Sequence, residues 1–305
     1  MPGRVSAHFQ HLQTNMATRI ESLFESTEPN LLATEFNFAE GPVWHPSGHL
    51  YFSDIRESKR YRMDENTSRI ELLAEQTSGG NGMTFDLTGR LVVCQPGRRQ
   101  AITVSDSEDQ VLTDRFEGKK HNAPNDIVGH SDGNLNFTNP EGRITGDEAE
   151  IGYSGVYRIS SSGKTSEVCA GMNLPNGLAF SPDESLLYVS NTRPDPKLNV
   201  FDLQPDGTAI NKLVFAEMPL VEEFEKNGVP DGLKVDSEGR VFCTGPGGIW
   251  IWEPNGERVG ALAFSEVTTN IAWGGSDWRT MFVTGHTSIY SLQPTTPGVP
   301  LPAFA

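Results

Sequence analysis

The feature that most limits what this chain can fold into is an internal repeat. One unit recurs six times: EGPVWHPSGHLYFS from Glu40, NGMTFDLTGRLVVC from Asn81, NDIVGHSDGNLNFT from Asn125, NGLAFSPDESLLYVS from Asn176, DGLKVDSEGRVFCT from Asp231 and NIAWGGSDWRTMFVT from Asn270. Each unit opens on a side chain that carries an oxygen. A short apolar segment follows, then a turn rich in Gly, Ser, Asp or Pro, then a run of β-branched and aromatic residues. The turns (PSG, LTG, SDG, PDES, SEG, GSDW) suit tight hairpins. The runs after them (LYFS, LVVC, LNFT, LLYVS, VFCT, MFVT) suit half-buried strands. Repeat starts lie 39 to 55 residues apart, near the period of a four-stranded propeller blade, roughly 40–50 residues.

The outer strands are legible too. Third strands include AITVSD (101–106), GVYRIS (155–160), LNVFDL (198–203), GIWIWE (248–253) and SIYSL (288–292). Fourth strands include IELLAE (70–75), QVLTDRF (110–116), TSEVCA (165–170) and KLVFAE (212–217). After SIYSL the Pro-rich tail TTPGVPLPAFA reads poorly as a strand. The last blade therefore lacks a fourth strand, and LLATEFNF (31–38) is predicted to supply it and close the ring, which leaves no long unpaired edge. The predicted fold is all-β: a six-bladed β-propeller of four-stranded blades over residues 31–305, closed by an N-terminal strand. Residues 1–30 form an extension, partly helical or disordered. Two insertions, 139–154 and 218–230, become loops of the kind that often lie on a binding face.

Composition supports this reading. The 31 Gly and 20 Pro among 305 residues suit many strands and turns rather than helical bundles. A net charge of −16 opposes binding to nucleic acid or anionic lipid. No stretch is apolar for long enough to span a bilayer and the N-terminus has no apolar leader core, so the expected compartment is the cytoplasm. Cys94, Cys169 and Cys243 are odd in number and widely spaced, which fits neither a disulfide framework nor a paired-cysteine metal site. Each is expected to be a small buried residue.

In a propeller the innermost strands line a central channel, so equivalent positions of successive blades face one axis. The six openers, Glu40, Asn81, Asn125, Asn176, Asp231 and Asn270, are predicted to form a ring there. Taken singly, Asn81-Gly82, Asn176-Gly177 and Asp231-Gly232 are ordinary turn signals. Six in register, beginning with a glutamate, are more than turn chemistry requires. All six bear hard oxygens, two are carboxylates, and none is His or Cys. That set suits one divalent ion, Ca²⁺ first. Zn²⁺ prefers nitrogen or sulfur, although an oxygen site also takes Zn²⁺, Mn²⁺ or Mg²⁺ with less discrimination.

Several of these segments carry a family likeness. AEGPVW (39–44), APNDIV (123–128), LPNGLAFSPDESLLYVSNT (174–192), VPDGLKVDSEGRVF (229–242) and, more weakly, TTNIAWGG (268–275) resemble the senescence marker protein/gluconolactonase family, which includes regucalcin and is related to diisopropyl-fluorophosphatase. The resemblance runs from about residue 31 to about residue 295. It implies Glu40, Asn176 and Asp231 as metal ligands, and Asn125 as a fourth ligand or a substrate contact beside the metal. Asp126 either orients that loop or caps it. Many animal members have an Arg two residues before this Asn, gripping the sugar lactone; here the residue is Ala123, which separates the chain from their substrate preference.

The implied chemistry is metal-assisted opening of a lactone ring, with Asp231 as general base. The implied partner is a small lactone or ester. His121 and Asn81 are further candidates for substrate contact, His121 from an exposed loop at the channel mouth. Tyr153, Glu141 and Arg143 are placed on a lid or substrate wall, and Arg98 and Arg99 on the pocket rim or in a solvated turn. Trp44 and Trp273 read as core aromatics. No nucleophile elbow, phosphate loop or dinucleotide fingerprint is present. Two other readings share the same residues: hydrolysis of phosphotriesters or other esters on the same metal, and a non-catalytic calcium- or ligand-binding propeller.

Overall fold

The computed structural model describes residues 19–105, 107–142, 148–219 and 227–305. Residues 1–18 of the predicted extension, Arg143 of the first insertion and 220–226 of the second lie outside this set. Six four-stranded antiparallel sheets form the predicted propeller. The innermost strands are Ala39–His45, Met83–Phe85, Ile127–Gly129, Pro175–Phe180, Leu233–Val235 and Thr268–Gly274. Five blades run in chain order from the axis outward. In the sixth, the N-terminal strand Asn30–Ala33 pairs with Ile289–Leu292 and completes the sheet. Closure thus follows the sequence reading, but the closing strand is shorter than 31–38. Glu35 adopts a φ of 77°, which turns the chain toward the first inner strand.

Two strands had no counterpart in the sequence reading: Lys59–Asp64, the third of blade 1, and Arg258–Ala263, the fourth of blade 5. Both carry charges or glycine where the other blades carry apolar runs. The expected strand 110–116 is a four-residue strand, Gln110–Thr113, followed by a small hairpin of Arg115–Phe116 and Lys119–Lys120.

The core is six apolar clusters, each between two consecutive blades. Val43 of blade 1 meets Met83, Phe85 and Val93 of blade 2, for example, and Trp44 and Phe52 of blade 1 meet Phe282 and Ile289 of blade 6. The second strands were expected to be half-buried, but Leu91–Gln95 and Thr280–Gly285 are buried at every position. A blade clamped between two neighbours has two apolar faces, so its middle strands read as continuous runs. Cys94, Cys169 and Cys243 are buried and unpaired within these clusters, as expected.

The openers are held by contacts that cross from blade to blade. The Gly82 N–H donates to the Asn125 carbonyl at 2.9 Å, the Gly177 N–H to Asp231 O at 3.1 Å and the Gly232 N–H to Thr269 O at 2.9 Å. Hydroxyls at the ends of the second strands reach the same line. Ser53 donates to Asn81 O at 3.2 Å, Thr138 to Asn176 O at 2.6 Å, Ser190 to Asp231 O at 2.6 Å and Thr244 to Thr269 O at 3.0 Å. The Asn-Gly and Asp-Gly pairs are therefore not hairpin turns. Their glycines permit close approach: a Cβ on Gly82 would lie 2.5 Å from Asp126 Oδ1 and 2.7 Å from Asn125 O.

Both chain ends are used. Ile20 and Phe24 join the cluster between blades 5 and 6, and Arg19 pairs with Glu253 at 3.0 Å. The C-terminal tail, no strand as expected, crosses the end of the channel opposite the openers. Ser237 donates to Pro297 O and Gly298 to Trp278 O, and Phe304 packs on Phe85. Beneath the openers a cavity of about 60 Å³ is lined by inner-strand residues such as Val43, Thr84 and Ile127 and, from the tail, by Val299 and Leu301.

Because overpacking a filled contact costs about 1–3 kcal/mol, Gly82→Ala is expected to lower the thermal midpoint by several degrees. Ser190→Ala, which removes one bond worth about 1 kcal/mol, should lower it less. Differential scanning calorimetry on both variants checks the order; a neutral Gly82→Ala would remove close approach as the reason for the glycine.

Candidate active site

The inner strands bring the openers to the axis at one end of the channel. Glu40 is 2 % exposed, Asn270 2 % and Asn81 6 %, while Asn125, Asn176 and Asp231 are partly open to solvent. Glu40 Oε2 accepts the Gly41 N–H at 2.5 Å and the Asn270 amide at 3.0 Å. Asn270 Oδ1 in turn accepts the Ile271 N–H at 2.8 Å, which fixes which end of the amide faces the glutamate. The same amide nitrogen lies 3.4 Å from Asp126 Oδ2. Asp126 is buried, and its carboxylate stands among the ring residues.

The electrostatics describe a ring short of positive charge. Burial pushes the Glu40 carboxyl up from 4.5 to about 7, repulsion from Asp126 adds to this, and the Gly41 N–H, the Asn270 amide and Lys234 oppose it. Burial likewise pushes Asp231 well above the usual carboxylate range, with repulsion from Glu40 and Asp126 adding to it and the Asn176 amide opposing it. Asn81 Oδ1 and Asn176 Oδ1 are buried without a hydrogen-bond partner among the described residues. Orphaned acceptors beside carboxylates raised by burial and by mutual repulsion are what a bound cation would satisfy. Among the described residues no three His, Cys, Asp or Glu side chains converge on one point, so an ion here would draw on amide oxygens as well.

Residues 38–287 match the family described as SMP-30/gluconolactonase/LRE-like region. The chain belongs to that family. It is 30% identical to a gluconolactonase of Zymomonas mobilis over 93% of its own length and 86% of the relative's. To a pentonolactonase of Haloferax volcanii it is 26% identical, over 85% and 84% of the two chains. The structure of a gluconolactonase from Xanthomonas campestris superposes with a TM-score of 0.81 at 26% identity, covering 90% of this chain and 92% of that one.

Other residues singled out in this gluconolactonase-family chain lie elsewhere. His121 was expected on an exposed loop, but it is fully buried. Its Nε2 pairs with Thr113 Oγ1 at 2.8 Å and its ring meets Phe137 and Tyr157 edge-on. Burial pushes its pKa down to about 4, so it is a neutral core residue near pH 7. The small hairpin 115–120 carries the chain over it, and no local signal in the sequence marks that cover. Arg99 does not rim a pocket; its guanidinium binds the carbonyls of His121 and Lys120. Arg98 is exposed. The Tyr153 hydroxyl donates to Glu167 of the outermost strand of its blade at 2.6 Å. Glu141, half-buried, is tied by its N–H to Ser154. Ala123 is half-buried and its N–H donates to Pro140 O, so no cation stands at that position. Trp44, stacked on Phe282, and Trp273 are core aromatics, as expected.

Sequence reasoning missed Lys234, whose Nζ lies 3.8 Å from Asp126 Oδ2. The signal was available: it is a charged residue in register with uncharged positions of the other five repeats.

The raised Glu40 pKa sets a pH dependence. Its ionisation opposes folding of the metal-free protein, so its contribution is full below about pH 4.5 and is lost as pH rises through 7. The metal-free melting temperature is expected to fall between pH 5 and 7.5, by at most about 3 kcal/mol of stability. The slope should flatten in Glu40→Gln. A fluorescence melt across pH in chelator checks both; an equal slope in the variant would clear Glu40 of the effect.

Proposed function

We propose that this chain is a divalent-metal-dependent hydrolase of sugar lactones, acting on rings such as D-glucono-1,5-lactone. The observation that carries the reading is the buried ring itself. Glu40 and Asp231, both raised by burial and then by neighbouring carboxylates, stand with the orphaned amide oxygens of Asn81 and Asn176. The family and its gluconolactonase and pentonolactonase relatives point to the same reaction class.

Glu40, Asn125, Asn176 and Asp231 would hold the ion, with Ca²⁺ the best match to an oxygen-only set. When bound, it supplies Lewis-acid polarisation of the lactone carbonyl. The protein's own groups do the rest. Asp231, partly open to solvent, takes a proton from the attacking water. As the bond between the carbonyl carbon and the ring oxygen breaks, the same group returns the proton to that oxygen. One water is thus added across one ester bond, giving the open hydroxy acid. Asn125 and Asn81, openers of neighbouring blades, would orient the sugar by hydrogen bonds. Glu40, enclosed and twice hydrogen-bonded, stays fixed. The channel is narrow and tail-capped below, so substrate approaches from the opener end.

Metal-stripped protein is expected to be inactive on D-glucono-1,5-lactone and to recover with one of Ca²⁺, Zn²⁺, Mn²⁺ or Mg²⁺, read by pH-stat. Asp231→Asn should lower kcat by about 10²–10⁴-fold. Full activity in that variant would remove the base assignment, and full activity in chelator would remove the metal.

A further inference from the structure

We propose that Lys234 is the ring's built-in counter-cation: a positioning residue whose ammonium orders Asp126 and Asn270 and leaves the ring with two negative charges in excess, which one divalent ion cancels. This deepens the metal reading above and rests on it.

Lys234 stands three residues after the opener Asp231. The equivalent residues of the other blades are Val43, Thr84, Val128, Ala179 and Trp273, and four of these line the cavity beneath the openers. A lysine in such a place is costly unless paired. Its side chain is only 19% exposed. Nζ donates to Leu233 O at 3.0 Å and to Asn270 Oδ1 at 3.4 Å, and lies 3.8 Å from Asp126 Oδ2. Asn270 then passes the contact on, since its amide nitrogen donates to Glu40 at 3.0 Å. The ammonium thus touches one carboxylate directly and another through a single amide.

The count of charge makes the role specific. The Asn270 amide nitrogen lies 3.0 Å from Glu40 Oε2 and 3.4 Å from Asp126 Oδ2, so these two carboxylates face one amide, and both repel Asp231. Against these three carboxylates the ring has, among the described residues, one ammonium within reach. With all three ionised, as a bound cation would hold them, two negative charges remain, which one divalent ion cancels. An uncharged residue at this position, as in the other blades, would leave three. The metal-free ring would then be more strongly self-repelling, and the cation more strongly attracted, because removing a nearby positive charge removes its repulsion.

Lys234→Met keeps the length of the stem in an apolar cavity. It is expected to bind Ca²⁺ on the order of tenfold more tightly than the wild type by isothermal titration calorimetry. It should melt lower in chelator yet gain more on calcium saturation. Asp126→Asn combined with Lys234→Met removes one charge of each sign and should return the affinity to within about twofold of the wild type. A packing role alone would lower the metal-free and calcium-loaded melting temperatures equally and leave the affinity unmoved; that result would overturn the assignment, as would a double variant no closer to wild type than the single one. A wild type whose melting temperature neither Ca²⁺ nor the other three ions shifts would overturn the metal reading and this one together.

Discussion

The structure depends on how closely successive blades approach at the axis. The residue after most openers is glycine, and the N–H of Gly82, Gly177 and Gly232 reaches a backbone carbonyl at or just before the next blade's opener with no Cβ in between. Hydroxyls ending the second strands bond to the same line of carbonyls. These contacts satisfy backbone groups that the channel would otherwise leave unpaired. They also aim six side chains at one axis. The apolar clusters between blades do the larger share of stabilisation, but they do not set where the openers point.

Convergence has an electrostatic cost. Carboxylates on separate blades, far apart in the chain, are brought into a site where burial and mutual repulsion raise Glu40 and Asp231. The fold offsets part of this with local donors: the Gly41 N–H, the Asn176 and Asn270 amides, and the Lys234 ammonium. What it does not offset is a demand for positive charge at a place where amide oxygens also lack partners. That remaining demand is what a bound cation would meet. The C-terminal tail bears on the same balance from below, since Val299 and Leu301 line the cavity that Lys234 enters.

Much of this was legible in the chain. The repeat announced the blades, the missing last strand announced closure from the N-terminus, and the oxygen-bearing openers announced the ring. The terminal Ser or Thr of the second strands was in view as well, in LYFS, LNFT, LLYVS, VFCT and MFVT, though its role as a staple to the next blade was not. The strands Lys59–Asp64 and Arg258–Ala263 escaped because charge and glycine mask a strand whose burial comes from neighbouring blades.

The sequence by itself determined the number of blades, the order of strands and the identities of the residues that face the axis, because these follow from a periodic pattern that each segment carries within itself. Only the tertiary structure decided which of those residues share charge. It placed Asp126 and Asn270 in contact across the channel, joined Lys234 to both, buried His121 under a hairpin and turned Arg99 to a structural task. Those outcomes depend on distances between groups 8 to 144 residues apart in the chain, and on what covers them. Burial and long-range proximity have no period, so they are read only once the ring is closed.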